Sequence, residues 1–179
     1  MSNAIHYLKK RDIQLLFLFN HRLHSQFLDM FMKGITILGS TVFSIALPLL
    51  LIISGQSVLV ETGMRLAAVL ALSETVVFLV KQFFQRTRPC KAVPGVINTN
   101  PNIRQYSFPS GHTCAAFIMA FVLSGTFPGM TFIFYTLAAL VGFSRIYLGV
   151  HYPSDVLAGL WVAYITFLVS CRWLLILMS

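Results

Sequence analysis

A chain of 179 residues in which 57% of side chains are hydrophobic and 10% are charged cannot cover a water-facing surface, because a soluble domain is nearer half apolar and roughly a quarter charged. That composition excludes an ordinary soluble fold and makes lipid the natural solvent. The formal net charge is +8, and where those cations fall says more than their sum.

The first 33 residues are amphipathic rather than spanning. Lys9, Lys10, Arg11 and Asp12 precede the apolar run Leu15 to Phe19, which is too short to cross a bilayer, and Asn20, His21, Arg22 and His24 then interrupt it. An interfacial helix is expected here, with basic residues toward headgroups and Leu15, Leu16, Leu18 and Phe19 toward acyl chains. No cleavable signal peptide is predicted, because a charged stretch follows the short apolar core where small residues belong. Ile35 to Ser54 carries no charge and is long enough to cross a hydrocarbon core of roughly 30 Å. Leu66 to Val80 is apolar except for Glu74, and Arg65 and Lys81 flank it with stems long enough to snorkel to the interfaces. Thr113 to Ser144 is again free of charge but too long for one span, and Phe127-Pro128-Gly129 divides it in two. Val156 to Cys171 begins a last span that continues past Arg172. The predicted fold class is therefore all-α. It is a polytopic bundle of about five transmembrane helices over residues 35–177, with an interfacial segment over residues 1–33, in one domain covering residues 1–179. Cys90, Cys114 and Cys171 are odd in number and widely separated, which argues neither a metal site nor a disulfide framework.

Five spans sort the connections into two faces. The loops at 55–62 and 127–130 lie on one, and the segment before residue 35, the loop at 84–110 and the turn at 149–154 lie on the other. Nearly every histidine and basic residue falls on that second face, in three polar clusters. The first is Lys81 to Pro89. Lys81 and Arg88 are seven apart, so on a continuing helix they share a face two turns apart, until Pro89 stops the helix. Two such cations make an anion clamp, or simply a cationic anchor at a span's end. The second is Phe108-Pro109-Ser110-Gly111-His112. Ser110 is a natural N-cap, Gly111 lets backbone N–H groups approach a ligand, and a helix N-terminus is a ready phosphate site. The bland alternative is an ordinary cap beside a wetted histidine. The third runs from Ser144-Arg145 to Asp155. His151 and Asp155 are four apart, so the carboxylate can fix one imidazole nitrogen and leave the other as a nucleophile, or the two form a merely structural pair. Three independent bland readings would not all fall at the mouths of adjacent helices on one face, where an ionisable cluster is functional by default.

Together these residues resemble the signature of the type 2 phosphatidic acid phosphatases, which also occurs in vanadium haloperoxidases and bacterial acid phosphatases. That signature has three parts: Lys, six residues and Arg-Pro; then Pro-Ser-Gly-His; then Ser-Arg, five residues, His, three residues and Asp. Here they are Lys81 to Arg88-Pro89, Pro109-Ser110-Gly111-His112, and Ser144-Arg145 to His151 and Asp155. The resemblance implies that His151 attacks phosphorus while Asp155 holds it. His112 protonates the leaving oxygen and then activates water, and Lys81, Arg88, Arg145, Ser110 and the Gly111 N–H bind the phosphoryl oxygens. It implies no metal and no cofactor, and no carboxylate cluster that could hold magnesium is present.

Five spans argue for a lipid phosphate as substrate, held with its tail in the bilayer. Undecaprenyl diphosphate, phosphatidylglycerol phosphate, phosphatidic acid and lipid A phosphate are the candidates, with a slight preference for the first. Phosphotransfer to another lipid is a second enzymatic reading, and an anion or lipid transporter a third. No span carries a chain of polar residues across the membrane, which speaks against transport. Glu74, seven residues before Lys81 and so on the same helical face, is expected to point into the bundle in a structural role. Neither a nucleic acid nor an obligate protein partner is implied. The short, loop-poor chain looks like a small bacterial enzyme of the plasma membrane. Its orientation is in conflict. Outside Lys81, Arg88 and Arg145, eight basic residues lie on the site's face and two on the other, so the positive-inside rule turns the site to the cytoplasm. The family resemblance turns it outward, and outward is the expectation kept.

Overall fold

The structure is a computed structural model that describes residues 2–98 and 106–178. All regular elements among them are helical: α1 (Ser2–His21), α2 (Gln26–Ile35), a 3₁₀ turn (Thr36–Gly39), α3 (Thr41–Ile53), α4 (Ser57–Phe84), the single turn α5 (Pro89–Ala92), α6 (Gly111–Thr126), a second 3₁₀ turn (Pro128–Met130), α7 (Thr131–Tyr147) and α8 (Pro153–Met178). Part of the expected 84–110 loop, residues 99–105, lies outside the described residues.

The organising element is α6. It packs against α4, α7, α8 and the first 3₁₀ turn, and Cys114, Ala115, Ile118, Met119, Ala120 and Val122 are all buried. At 16 residues it is about 24 Å long, short of the roughly 30 Å hydrocarbon thickness. Around it, α4 contributes Leu66, Val69, Leu70 and Val77, and α8 contributes Ala163. Large hydrophobic side chains also cover the outward surfaces. Val42, Ile53 and Phe132 are more than three-quarters exposed, as suits side chains that face lipid rather than water.

The five apolar elements fall where the hydropathy places them, but among the described residues only three helices (within Ser57–Ala92, Pro128–Tyr147 and Pro153–Arg172) are long and apolar enough to cross alone. The first expected span, Ile35 to Ser54, is not one helix. Residues 26–39 and 41–53 qualify only as a pair bent by 55°. Ser40 causes the break: it is extended (φ −76°, ψ 156°) and its side chain caps α3 by accepting from the Phe43 N–H. α4 begins at Ser57, well before Leu66, so Arg65 lies inside the helix instead of flanking it. Its guanidinium is accommodated by packing, with Nη2 3.1 Å from Cys171 Sγ and the Phe167 ring 5.7 Å away. The same helix ends at Phe84, where Gln85 takes a left-handed conformation. Lys81 and Arg88 therefore do not share a continuous helical face; Arg88 is the N-cap of α5 and reaches the site by a turn of the chain.

The N-terminal segment forms two helices, and half of its apolar residues turn inward. Leu15 and Leu18 are exposed, but Leu16 is fully buried against Ile146 and Tyr152, and Phe19 packs edge-on against Phe143. Buried Asn20 completes the attachment. Its amide donates to the carbonyls of Tyr147 (2.7 Å) and Ile97 (3.0 Å), and its oxygen accepts from the Ile97 N–H at 2.8 Å. Asp29 of α2 accepts from the Tyr147 hydroxyl at 2.6 Å. Both helices are thereby tied to the end of α7 that leads into the polar turn.

Candidate active site

Arg145 stands in the last turn of α7, and its carbonyl accepts from the N–H groups of both Val150 and His151 at 3.2 Å. This curls residues 148–152 back over the bundle. The curl needs Gly149, whose φ is +70° and where a Cβ would stand 2.5 Å from the Ile97 carbonyl oxygen. α8 then starts at Pro153, as a helix tolerates proline in its first turn. One turn separates His151 from Asp155, and Nδ1 lies 3.5 Å from Asp155 Oδ2.

The tautomer follows from the other nitrogen. Nε2 of His151 is 3.0 Å from Arg88 Nη1, which also donates to the Val150 carbonyl at 2.9 Å. A guanidinium has donors only, so Nε2 must accept, and the ring proton belongs on Nδ1 facing Asp155. Burial pushes the imidazole down from its ordinary value to about 3, reinforced by Arg88 and Arg145 and opposed by Asp155. His151 is therefore a neutral base with its lone pair directed at a cationic group.

Asp155 is fully buried. Oδ2 accepts the Tyr152 N–H at 2.9 Å and the Ser107 hydroxyl, while Oδ1 accepts from Arg86 Nη1 at 2.7 Å. Its backbone also matters, since its carbonyl accepts the Ser110 N–H at 3.0 Å. Ser110 is the N-cap of α6 as expected, accepting from the N–H (3.4 Å) and hydroxyl (2.9 Å) of Thr113. The Pro109 peptide that precedes it is cis. Helix α8 presses against this loop through Gly159, where a Cβ would come within 2.5 Å of the Ser110 carbonyl. Gly111 and half-buried His112 open α6, and His112 is within electrostatic reach of Arg145, His151, Lys81 and Arg88.

The cations converge from three elements. Lys81 ends the inward row of α4 that begins with Leu66, Leu70, Ser73 and Val77. Buried Arg145 donates to Thr36 Oγ1 at 2.6 Å, while its buried Nε has no hydrogen-bond partner among the described residues. A buried guanidinium with an unused donor suits an anionic ligand. All eight residues singled out by the sequence thus gather at one end of the bundle. Glu74 stands one helix row from this cluster. It keeps exposed surface on α4, but its carboxylate lies against the start of α6, where a Cβ on Gly111 would be 3.7 Å from Oε2. Asp12, Thr36, Arg86 and Ser107 were not anticipated. Of these only Arg86 lay within a recognised cluster, and the others are brought in by the tertiary fold.

Beside the site an apolar groove of about 230 Å³ runs between α3 and α7 over α6, lined by Leu38, Phe43, Met119, Leu123, Phe134 and Val141. Gly39 stands at its head, where a Cβ would meet the His112 carbonyl oxygen at 2.6 Å and Val141 Cγ1 at 2.7 Å. Among the described residues no three or more His, Cys, Asp or Glu side chains are grouped to hold a metal ion.

The fold and this cluster define a helical membrane protein that gathers two histidines, a buried carboxylate and three cations at one end of the bundle. Residues 62–178 match the PAP2 superfamily, and the chain belongs to that family. A probable sphingosine-1-phosphate phosphatase of Dictyostelium discoideum is 35% identical over 163 residues, covering 82% of this chain and 38% of the relative. Phosphatidylglycerophosphatase B of Bacillus subtilis is 34% identical over 142 residues, covering 72% of this chain and 66% of its own length. The chain thus spans less than two thirds of either relative. The crystal structure of Aquifex aeolicus LpxE superposes with a TM-score of 0.80 at 33% identity, covering 89% of this chain and 94% of that one.

Proposed function

We propose that the chain is a phosphatase for a membrane lipid bearing a phosphomonoester or diphosphate, working through a phosphohistidine on His151 without a metal. The observation that carries the reading is the polarity of His151: Nδ1 toward Asp155, and Nε2 at 3.0 Å from Arg88. A phosphate held by Arg88, Arg145 and Lys81 would present phosphorus to that lone pair. Nε2 forms the P–N bond as the P–O bond to the lipid breaks, and the proton on His112 goes to the leaving oxygen. His112 then takes a proton from water, whose oxygen attacks phosphorus and releases inorganic phosphate. The three cations, the N–H of Gly111 and Ser110 offset the charge that grows on the equatorial oxygens.

The named activities of the relatives, on phosphates of sphingosine and of phosphatidylglycerol, support the lipid class. The apolar groove beside His112 supports it independently, since it offers a tail a place in the bilayer while the headgroup meets the cations. The outward orientation of the site belongs to the same proposal, with the basic residues kept for an anionic substrate and headgroups.

Phosphate release by detergent-solubilised protein tests this, with EDTA present, on undecaprenyl diphosphate, phosphatidylglycerol phosphate, phosphatidic acid and a lipid A phosphate. The wild type should release phosphate from at least one, be inhibited by orthovanadate, and lose at least about a thousandfold in kcat on His151→Ala, as nucleophile removal does elsewhere. Equal release by wild type and variant would mean that another group is the nucleophile. Loss of activity in EDTA that a divalent metal restores would overturn metal independence.

A further inference from the structure

Arg86 lies outside the sequence signature, between Lys81 and Arg88, yet both of its terminal nitrogens are committed to carboxylates. Nη1 is 2.7 Å from Asp155 Oδ1 and 2.6 Å from Ser154 Oγ, and Nη2 is 2.7 Å from Asp12 Oδ2. The guanidinium also sits over the Tyr152 ring, 3.9 Å from its centre. Asp12 comes from α1, far away in sequence, and closes the circle. Its Oδ1 accepts the Ser154 N–H at 2.9 Å and its Oδ2 the Ser154 hydroxyl at 2.5 Å. An aspartate of one helix thereby caps the start of another, and that cap is one residue from Asp155. Arg86 contributes through its backbone too. Its carbonyl accepts the Ser107 N–H at 2.8 Å, which holds the Ser107 hydroxyl against Asp155 Oδ2.

The consequence concerns the rotation of one carboxylate. Asp155 is fully buried, and Oδ2 is the oxygen that faces His151. Without Arg86, Oδ1 would be a buried charged acceptor lacking its guanidinium, a costly state that the side chain relieves by rotating or taking up a proton. Either change alters what His151 Nδ1 faces. We propose that Arg86 and Asp12 are positioning residues of the His151–Asp155 pair, an Asp12–Arg86–Asp155 relay that makes the interfacial helix α1 a working part of the active site. The inference rests on the reading of His151 as nucleophile, but its spectroscopic consequence does not need turnover. Because Arg86 directs its terminal nitrogens at Asp155, Ser154 and Asp12, its role is separable from phosphate binding.

The experiment pairs histidine ¹⁵N spectra with kinetics, for the wild type, Arg86→Gln, Arg86→Lys, Asp12→Asn and the Arg86→Gln/Asp12→Asn double variant in detergent. The wild-type His151 signal, assigned by its absence in His151→Ala, should report one tautomer with the proton on Nδ1. Arg86→Gln should mix the tautomers and lower kcat by about tenfold to a hundredfold, the scale of an orienting group's loss, with KM within about twofold. Arg86→Lys, which can reach one carboxylate but not both, should restore part of kcat. Asp12→Asn should cost less, and adding it to Arg86→Gln should cost almost nothing further, because the two act through one network. An unchanged tautomer in Arg86→Gln and Asp12→Asn overturns the relay even if the protein proves to have no turnover. A raised KM with unchanged kcat overturns it as well, since Arg86 would then bind phosphate. Should Arg86→Gln not fold, Asp12→Asn and Arg86→Lys decide: a shifted tautomer at an unchanged thermal midpoint supports the relay, and a wild-type spectrum rejects it. Full turnover by His151→Ala beside a shifted Arg86→Gln tautomer would instead reject the proposed nucleophile and leave the relay standing.

Discussion

His151 shows how a side chain of ordinary chemistry becomes a specialised one through its neighbours. Burial holds its imidazole neutral far below the usual histidine range, so the folded protein resists a proton that the unfolded chain accepts near pH 6.5. The sign follows. The unfolded state binds more protons below that value, so stability contributed by neutral His151 is present above about pH 6.5 and is lost as the pH falls toward the folded value. Between pH 7 and 5 this one group should withdraw about 2 kcal/mol. His151→Ala should therefore lose less stability over that interval than the wild type, measured by denaturant or thermal unfolding in detergent at the two pH values. An identical loss in both proteins would mean that His151 accepts its proton while folded. The carboxylates were legible to different degrees at this scale. With only five acidic residues in the chain, Asp155 was marked by its spacing from His151, whereas Asp12 and Asp29 lay in a segment read only for its amphipathicity.

Between elements, the site depends on close approaches that only glycine permits. Gly159 of α8 faces the Ser110 carbonyl and Gly39 faces that of His112, so the mouth of α6 is gripped from both sides by backbone. Gly159→Ala would place a methyl 2.5 Å from a carbonyl oxygen, and neither backbone is a flexible side chain that can swing away. It should destabilise the protein by about 1–3 kcal/mol, the usual cost of overpacking, and lower kcat as the capping loop is displaced. Gly125→Ala, at the far end of α6 where nothing lies within 4 Å, is the control and should be neutral or slightly stabilising, as alanine is the better helix former. Thermal midpoints and kcat for the two variants check the contrast. Existence and order of the apolar helices were legible because hydropathy reports them directly. The bend at Ser40, the early start of α4 and its end at Phe84 were not. A capping serine, an arginine tolerated in a helix and a left-handed glutamine each depend on what packs beside them.

At the scale of the whole molecule, the proposed outward orientation of the polar end is set against its charge. Eight basic residues on that side would ordinarily be cytoplasmic, but at least Arg86 among them is engaged by Asp12 and Asp155 rather than by lipid headgroups. With the native cysteines replaced by serine, a membrane-impermeant maleimide should label Asn98→Cys on intact cells and Ser57→Cys only after permeabilisation. Both positions are exposed, at opposite ends of the bundle. The reverse pattern would place the site in the cytoplasm and restrict the substrate to the inner leaflet.

The division between sequence and fold has a physical basis. Composition alone determined the solvent, because charge too sparse to cover a surface has no alternative to lipid. Spacing, read together with the family signature it resembles, located the histidines, the three cations and the paired aspartate, because residues near in sequence keep their interval even where the helix breaks between them. Contacts between distant elements leave no interval to read. That α1 caps α8 through Asp12, that Arg86 and Ser107 hold Asp155, that Thr36 steadies Arg145, and that the Glu74 carboxylate lies against Gly111 were decided only when the helices packed around α6.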